Sequence, residues 1–120
     1  MAALNPKNRI LTAEQRKNLV KLCQALIEIQ NEYGEELFVT SGFRSELDQI
    51  RIDPNHMGSS HCLGLAADIE DKDDKVWNWC QDNIKEVANQ GLYLEDKAYT
   101  KTWVHFQLKA PKSGKRIFVP

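Results

Sequence analysis

The stretch SSHCLGLAAD, residues 59–68, has a histidine near one end, an aspartate at the other, and small or apolar residues between them. Gly64 and the two alanines permit the chain to fold back closely, so His61 on a loop and Asp68 on a following strand can converge. A further histidine, His105, lies downstream in TWVHFQ. Catalytic zinc sites take three such ligands and leave a fourth position to water. The pattern raises a metal-site hypothesis, although such residues are more often surface or capping groups.

Length and composition are those of one globular domain. The chain has 120 residues, 42% of them hydrophobic and 28% charged, so we expect a single domain, 1–120, with its own core. The formal net charge is -1, and the scattered lysines form no basic stripe of the kind that binds nucleic acid. No apolar run approaches the ~20 residues that span a bilayer. We therefore predict no nucleic-acid partner, no membrane partner, and a monomer.

Two features bear on the cellular compartment. The first residues, MAALNPKNRI, lack the apolar core of a secretory signal, so we expect cytoplasmic synthesis, and any target outside the cell would be reached after lysis or by non-classical export. The three cysteines, Cys23, Cys62 and Cys80, form no CxxC pair, and their odd number argues against a disulfide framework. We expect reduced thiols.

Hydrophobic periodicity predicts helices and short strands in alternation. Thr12 and Gln15 form a potential capping box before an amphipathic helix over 13–31. A second helix is predicted over 71–90, with acidic residues at its start and Gly91 after its end. A short helix is predicted after Ser45, and strands are predicted within 36–41, 65–70, 91–95, 102–108 and 116–120.

Alternation along the strand near 103–108 separates two faces. Val104, Phe106 and Leu108 point to one side, and Trp103, His105 and Gln107 point to the other. We predict an α+β fold with a small antiparallel or mixed sheet that bears the site on one face, while the helices over 13–31 and 73–90 pack on the other.

Three segments together resemble a known family. SGFRS at 41–45, SSHCLGLAAD at 59–68 and WVHFQ at 103–107 occur in the order and spacing of the M15 zinc peptidases, the group of D-alanyl-D-alanine carboxypeptidases and L-alanyl-D-glutamate endopeptidases. The pattern Ser-x-His-x-x-Gly-x-Ala-x-Asp is matched at every fixed position. GLYLEDKAYTKTWVHFQ and SGKRIFVP also resemble small phage- and prophage-borne members. The resemblance covers roughly residues 36–120 and implies the fold shared by these carboxypeptidases and the hedgehog signalling domain.

The resemblance implies that His61, Asp68 and His105 bind one zinc ion per chain. Arg44 would stabilise either the oxyanion or a substrate carboxylate, a role suited to its planar, permanently charged group. The alternative for Arg44 is an ion pair that ties its loop to a neighbouring carboxylate. Ser59 would either bind substrate through a hydrogen bond or cap its turn.

The strand that bears the last histidine supplies two further candidates. Trp103 would form a side of the substrate cleft, with an exposed rim position as the alternative, and Gln107 on the same strand face would bind substrate. His56, in the loop before the first ligand, is expected to be solvated. Cys62 follows a ligand directly but should point away from it and pack beneath the site.

One position departs from the family pattern. Many carboxypeptidases of this group carry an acidic general base three residues before the last histidine ligand, but Thr102 stands there in this chain. A threonine cannot accept the proton, so a carboxylate must come from elsewhere within hydrogen-bond reach of the attacking water. The candidates are Glu95 and Asp96. We predict Glu95, because the phage-type relatives carry an acid there.

The resemblance implies a zinc metallopeptidase that hydrolyses a bond in peptidoglycan stem peptides, as a D,D-carboxypeptidase or an L,D-endopeptidase. An alternative is a non-catalytic zinc-containing module of the same fold that binds cell wall or protein, which would account for Thr102. A metal-free structural or virion component that keeps the motifs is a third possibility.

Overall fold

The fold is an α+β arrangement of short elements. The computed structural model describes residues 4–53 and 59–120, and the prediction for His56 lies outside them. In chain order the elements are α1 (Ala13–Tyr33), β1 (Val39–Ser41), α2 (Glu46–Ile52), β2 (Ala66–Glu70), α3 (Lys75–Asp82), α4 (Ile84–Asn89), β3 (Tyr93–Glu95), a 3₁₀ turn (Lys97–Tyr99), β4 (Trp103–Gln107) and β5 (Ile117–Phe118).

Helix α1 confirms the predicted first helix and runs two residues beyond it. The Thr12 hydroxyl accepts the backbone N–H of Gln15, and the Gln15 side chain accepts the backbone N–H of Thr12, so the capping box is present. Gly34 ends the helix with φ +85°, a conformation that glycine adopts without steric cost. The helix buries one apolar face, formed by Leu19, Leu22, Ala25, Leu26 and Ile29.

The predicted second helix is wrong as a single element, because Asn83 divides it into α3 and α4. Asn83 has φ -122° and ψ 37°, outside the helical region. Its side-chain amide donates to the carbonyl of Trp79 at 2.9 Å, the kind of local bond by which asparagine competes with the helical pattern. At the other end, Asp71 accepts the backbone N–H groups of Val76 and Trp77, and α3 begins only at Lys75.

Within residues 4–53 and 59–120, the sheet has five strands in the order β1-β2-β4-β3-β5. Neighbouring strands are antiparallel except β3 and β5, which are parallel. The sheet is therefore mixed, which confirms the predicted α+β class. Along β4 the predicted alternation also holds: Val104 and Phe106 are fully buried in the core, while Trp103, His105 and Gln107 border a cleft on the opposite face.

The core lies between the sheet and the long helix. Leu22 and Leu26 of α1 belong to the same buried cluster as Ile69 of β2 and Phe106 of β4. Helix α2 differs from the others, since its residues Gln49 and Ile52 border the cleft rather than this core. In the described part of the chain, no helix is both long and apolar enough to cross a membrane.

Candidate active site

One line of paired residues crosses the sheet beneath the cleft. Ser41 on β1 is opposite Asp68 on β2, and Asp68 is opposite His105 on β4. The antiparallel register of β3 and β4, continued by one residue, puts Glu95 opposite His105, and Glu95 is in turn paired with Phe118 on β5. Directly paired residues project to the same face of a sheet. The side chains of these paired residues therefore form a row on one face, one from each strand.

His61 reaches this face from the loop before β2. The loop turns tightly at Gly64, which has φ +75°, and a Cβ there would lie 2.8 Å from the carbonyl oxygen of Gln15 on α1. Glycine is therefore required both for the backbone conformation and for the close approach. The ring nitrogen Nδ1 of His61 lies 2.9 Å from the carbonyl oxygen of Gly42. This bond turns the Nε2 edge of the ring toward Asp68, at 3.5 Å from Oδ2.

The three side chains expected at the metal site lie together. His61, Asp68 and His105 each offer one ligand atom, and these atoms are all within 4.8 Å of one another. Asp68 joins the two rings, since its Oδ1 lies 2.9 Å from Nδ1 of His105 and the imidazole centroids are 5.2 Å apart. Two imidazoles and one carboxylate on a cleft surface are a donor set that suits zinc. The arrangement can hold a metal ion.

The electrostatics of this cluster keep Asp68 ionised. Burial by itself would raise the pKa of Asp68, but hydrogen bonds to His105 and His61 and the charges of the two rings outweigh it, so the pKa lies well below its usual range. For His105, burial by itself would lower the pKa, but the bond to Asp68 and its charge, the bond to Gln107, and the charge of Glu95 raise it above the usual value. In a protein without metal, these groups stabilise a protonated His105.

Arg44 lies beside Asp68 and is held by several acceptors. Its guanidinium donates to the hydroxyl of Ser41 at 3.0 and 2.8 Å and to the side-chain carbonyl of Gln49 at 3.3 Å. A longer contact of 3.5 Å joins it to Oδ2 of Asp68. The side chain is 18% exposed and borders the cleft. The contact expected in the alternative reading, an arginine tied to a neighbouring carboxylate, is therefore present, and the group still faces the cleft.

A cleft of about 540 Å³ lies over the three potential ligands. It also contains the predicted substrate-binding residues Ser59, Trp103 and Gln107. The hydroxyl of Ser59 accepts the backbone N–H of His61 at 3.1 Å, which is the capping role considered for it. The apolar side of the cleft is formed by Ile52, Tyr99, Trp103, Phe118 and Pro120.

The two acids considered as the general base, Glu95 and Asp96, have different surroundings. Glu95 borders the cleft, and it is opposite His105 when the register is continued. Asp96 instead accepts the backbone N–H of Ala98 and caps the 3₁₀ turn. Thr102 precedes β4, is exposed, and is not among the residues that border the cleft. Glu95 is thus the better placed of the two acids.

Three contributors to the site were missed in the sequence. Ser41 and Gln49 hold Arg44, and the carbonyl of Gly42 holds His61. Ser41 and Gly42 stand within SGFRS, so the motif contained a signal for them, but Gln49 lies on α2 with no pattern to mark it. Cys62 is buried and its thiol lies 3.9 Å from the carbonyl oxygen of Ser45, away from the three potential ligands, as expected.

Comparisons with known proteins agree with this geometry. A family model described as Peptidase M15 matches residues 3–107, a range that includes Arg44, His61, Asp68, Glu95 and His105. No curated protein gave a significant match, and neither did any solved structure. The family match covers most of the chain, and the three potential metal ligands fall within it, so the chain belongs to the M15 peptidase family.

Proposed function

We propose that this protein is a zinc metallopeptidase that hydrolyses a peptide bond in peptidoglycan stem peptides. The observation that carries the proposal is the convergence of His61, Asp68 and His105 at one cleft surface, with Glu95 on the neighbouring strand. The family match supports peptidase chemistry. The choice of stem peptides rests on the resemblance of the motifs to the carboxypeptidase and endopeptidase group.

In this proposal His61, Asp68 and His105 hold one zinc ion per chain. The ion supplies Lewis-acid chemistry, because it acidifies a water molecule toward a pKa of ~7 and polarises a carbonyl oxygen. Asp68 contributes the negative charge of the ligand set, and its low pKa keeps it ionised throughout the neutral range. In the metal-free protein, the ionised carboxylate also holds the protonated His105 ring in place through the 2.9 Å contact.

Glu95 acts as the general base. Its carboxylate takes a proton from the attacking water and returns it to the amine that leaves, as general acid–base catalysis requires. Support comes from its position in the cleft and from its effect on His105, whose pKa its charge helps to raise. Asp96 cannot serve equally well, because its carboxylate caps the 3₁₀ turn.

Arg44 stabilises the negative charge on the substrate, either on the oxygen of the tetrahedral intermediate or on a terminal carboxylate. The guanidinium is fixed in the cleft by Ser41 and Gln49, so its charge is in place before the reaction begins. Ser59 binds the peptide through a hydrogen bond, and Trp103 forms one side of the substrate cleft. Gln107 lies in the same cleft, where its amide is also engaged by its neighbours on the chain.

We further propose that residues 1–120 act as one domain and as a monomer, without nucleic-acid or membrane partners. A phage or prophage setting is suggested by the motifs around 91–107 and 113–120.

Mass spectrometry of purified muropeptides tests the proposal. The zinc-loaded protein is incubated with several stem-peptide chemistries beside a sample treated with a chelator. We expect a new product only in the zinc-loaded sample, and its mass identifies the bond, so that it separates D,D-carboxypeptidase from L,D-endopeptidase activity. Metal analysis of the same protein should find about one zinc per chain, as a single site requires.

The alternative of a non-catalytic zinc-containing module is favoured by one observation, the exposed Thr102 at the position where many relatives carry an acid. In that case zinc would be bound and muropeptides would remain intact across the whole panel. A protein that contains no zinc after purification with added metal would contradict both readings.

A further inference from the structure

The two histidines of the site have different hydrogen-bond partners on the ring nitrogen that faces away from the cluster. For His61 the partner of Nδ1 is the carbonyl oxygen of Gly42, at 2.9 Å. For His105 the partner of Nε2 is the side-chain oxygen of Gln107, at 2.8 Å. A backbone carbonyl can only accept, but a glutamine amide can offer either an oxygen or an NH₂ group. The Gln107 amide could therefore present either group to His105, and a further contact must fix its orientation.

The backbone of the next loop fixes that direction. The Gln107 amide nitrogen Nε2 donates to the carbonyl oxygen of Lys109 at 2.6 Å. If the amide were rotated by half a turn, its oxygen would face the Lys109 carbonyl, and two acceptors would be in contact without a proton between them. The NH₂ group must therefore point to Lys109, which leaves the amide oxygen facing His105. Gln107 is only 7% exposed, so solvent offers its amide few alternative partners.

We propose that Gln107 is a positioning residue that sets the tautomer of His105 and hence the ring nitrogen that binds metal. The amide oxygen accepts the proton of Nε2, so the proton that a metal ion displaces is the one on Nδ1, which faces Asp68 at 2.9 Å in the metal-free structure. Residues that accept the second N–H of a metal-binding histidine orient the ring and make the ligand more basic. The inference rests on the proposed zinc site, and it adds to the family pattern a role for the residue two positions after the last ligand.

Long-range ¹H–¹⁵N correlation NMR of histidine-labelled, zinc-loaded protein tests the assignment directly. We expect His105 to carry its proton on Nε2 and His61 to carry its proton on Nδ1, so the two rings serve as references for each other within one spectrum. A proton on Nδ1 of His105 would overturn the proposal. This measurement uses the unaltered protein and does not depend on the folding of a variant.

Two variants separate the acceptor from the bulk of the side chain. Gln107→Met keeps the length and removes the acceptor, and we expect zinc to bind about 10- to 100-fold more weakly in a chelator competition assay. Gln107→Glu keeps an oxygen for Nε2 but places its second oxygen against the Lys109 carbonyl, so we expect it to retain the Nε2 proton and to weaken zinc binding less than Gln107→Met does. Gln24→Met, at an exposed position on α1, is the matched control and should leave zinc affinity unchanged.

The outcomes distinguish this inference from the proposed function. If the unaltered protein binds no zinc, the proposed zinc site itself fails. If it binds one zinc and Gln107→Met binds it equally tightly, the metal site stands and the role of Gln107 is refuted. Equal weakening in Gln107→Met and Gln107→Glu would also refute it, because loss of the Lys109 contact alone would then account for the effect.

Discussion

The carbonyl oxygen of Gly42 lies 2.9 Å from Nδ1 of His61, and Gly42 itself is packed against the backbone of Leu4. A Cβ on Gly42 would lie 2.3 Å from the Leu4 carbonyl oxygen, well inside contact distance. The neighbouring Phe43 amide also donates to that oxygen. The segment around Leu4 therefore holds the peptide that orients a potential metal ligand.

Gly42→Ala should reduce both stability and zinc affinity, since the backbone at 42 has to move away from Leu4. We expect a loss of about 1–3 kcal/mol in the free energy of unfolding, the usual cost of overpacking, measured by urea denaturation without metal. Gly34→Ala is the matched control. An alanine at 34 is strained by its φ of +85°, and nothing lies within 4 Å of the new Cβ. The Gly34→Ala protein should therefore be less stable but should bind zinc with unchanged affinity. Equal zinc affinity in Gly42→Ala would contradict the role of this carbonyl.

Glu95→Gln should abolish most turnover while zinc remains bound. The substitution keeps the size of the side chain and removes the base, and we expect kcat to fall about 10²- to 10⁴-fold, the usual contribution of such a group. Steady-state kinetics on the identified muropeptide and metal analysis give the two readouts. Asp96→Asn is the control at the neighbouring acid and should lower activity far less. Full activity in Glu95→Gln would exclude Glu95 as the base.

Zinc affinity should fall as the pH is lowered, beginning above pH 6.5. Asp68 above all, and then Gln107 and Glu95, raise the pKa of His105 above the usual value. In the metal-free protein a proton therefore occupies the ring over a wider range of pH and competes with zinc. We expect about tenfold weaker binding per pH unit for each proton displaced. Chelator competition between pH 8 and 5.5 measures it. A zinc affinity that stays constant down to pH 6 would contradict the raised pKa.

The raised pKa of His105 also makes the folding stability of the metal-free protein depend on pH. A group whose pKa is raised on folding stabilises the protein below its unfolded pKa, and the contribution is lost as the pH rises through the folded value. For His105 the unfolded value is about 6.5, so its contribution should be complete in mildly acidic solution and should decline above that. Urea denaturation of the metal-free protein at pH 6 and pH 8.5 measures it, and His105→Gln should remove the difference. An unchanged difference in the variant would assign it to other groups.

Asp48 is not among the residues that border the cleft, and it should make an acid-sensitive contribution to stability. It is 2% exposed, contacts Arg9 at 2.8 Å and Lys7 at 3.2 Å, and completes the capping box of α2 with Ser45. The hydrogen bond from Arg9, above all, holds the pKa of Asp48 well below its usual range. A lowered pKa stabilises the folded state above the unfolded value of about 3.9, and that gain is lost as the pH falls through the folded value.

Asp48→Asn should therefore be less stable than the unaltered protein at pH 7, by about 1–2 kcal/mol because the two cations are partly exposed and screened. The difference should shrink below pH 4. Urea denaturation at pH 7 and pH 3 provides both values, with Asp82→Asn on the exposed end of α3 as the control. A difference that persists unchanged at pH 3 would show that the charge of Asp48 is not its source.

Local patterns in the sequence predicted much of the fold. The capping box at Thr12 and the apolar periodicity after it predicted α1, because both depend on residues three or four positions apart. Alternation in β4 predicted which face carries His105. The same reasoning failed at Asn83, where the apolar periodicity continues but the backbone leaves the helical region, while the Asn83 side chain also bonds to the Trp79 carbonyl. Apolar periodicity indicates which residues are buried, and it does not indicate such a local change in backbone conformation.

The sequence by itself determined the residue types available for chemistry and their assignment to the M15 family, because His61, Asp68 and the residues around them form a motif with fixed spacing. Only the tertiary structure decided how distant groups combine. Strand order places β4 between β2 and β3, so His105 lies beside both Asp68 and Glu95. It also decided that the carbonyl of Gly42 faces His61. These contacts depend on register and on the path of loops, which join residues far apart in the chain, and no local spacing encodes them.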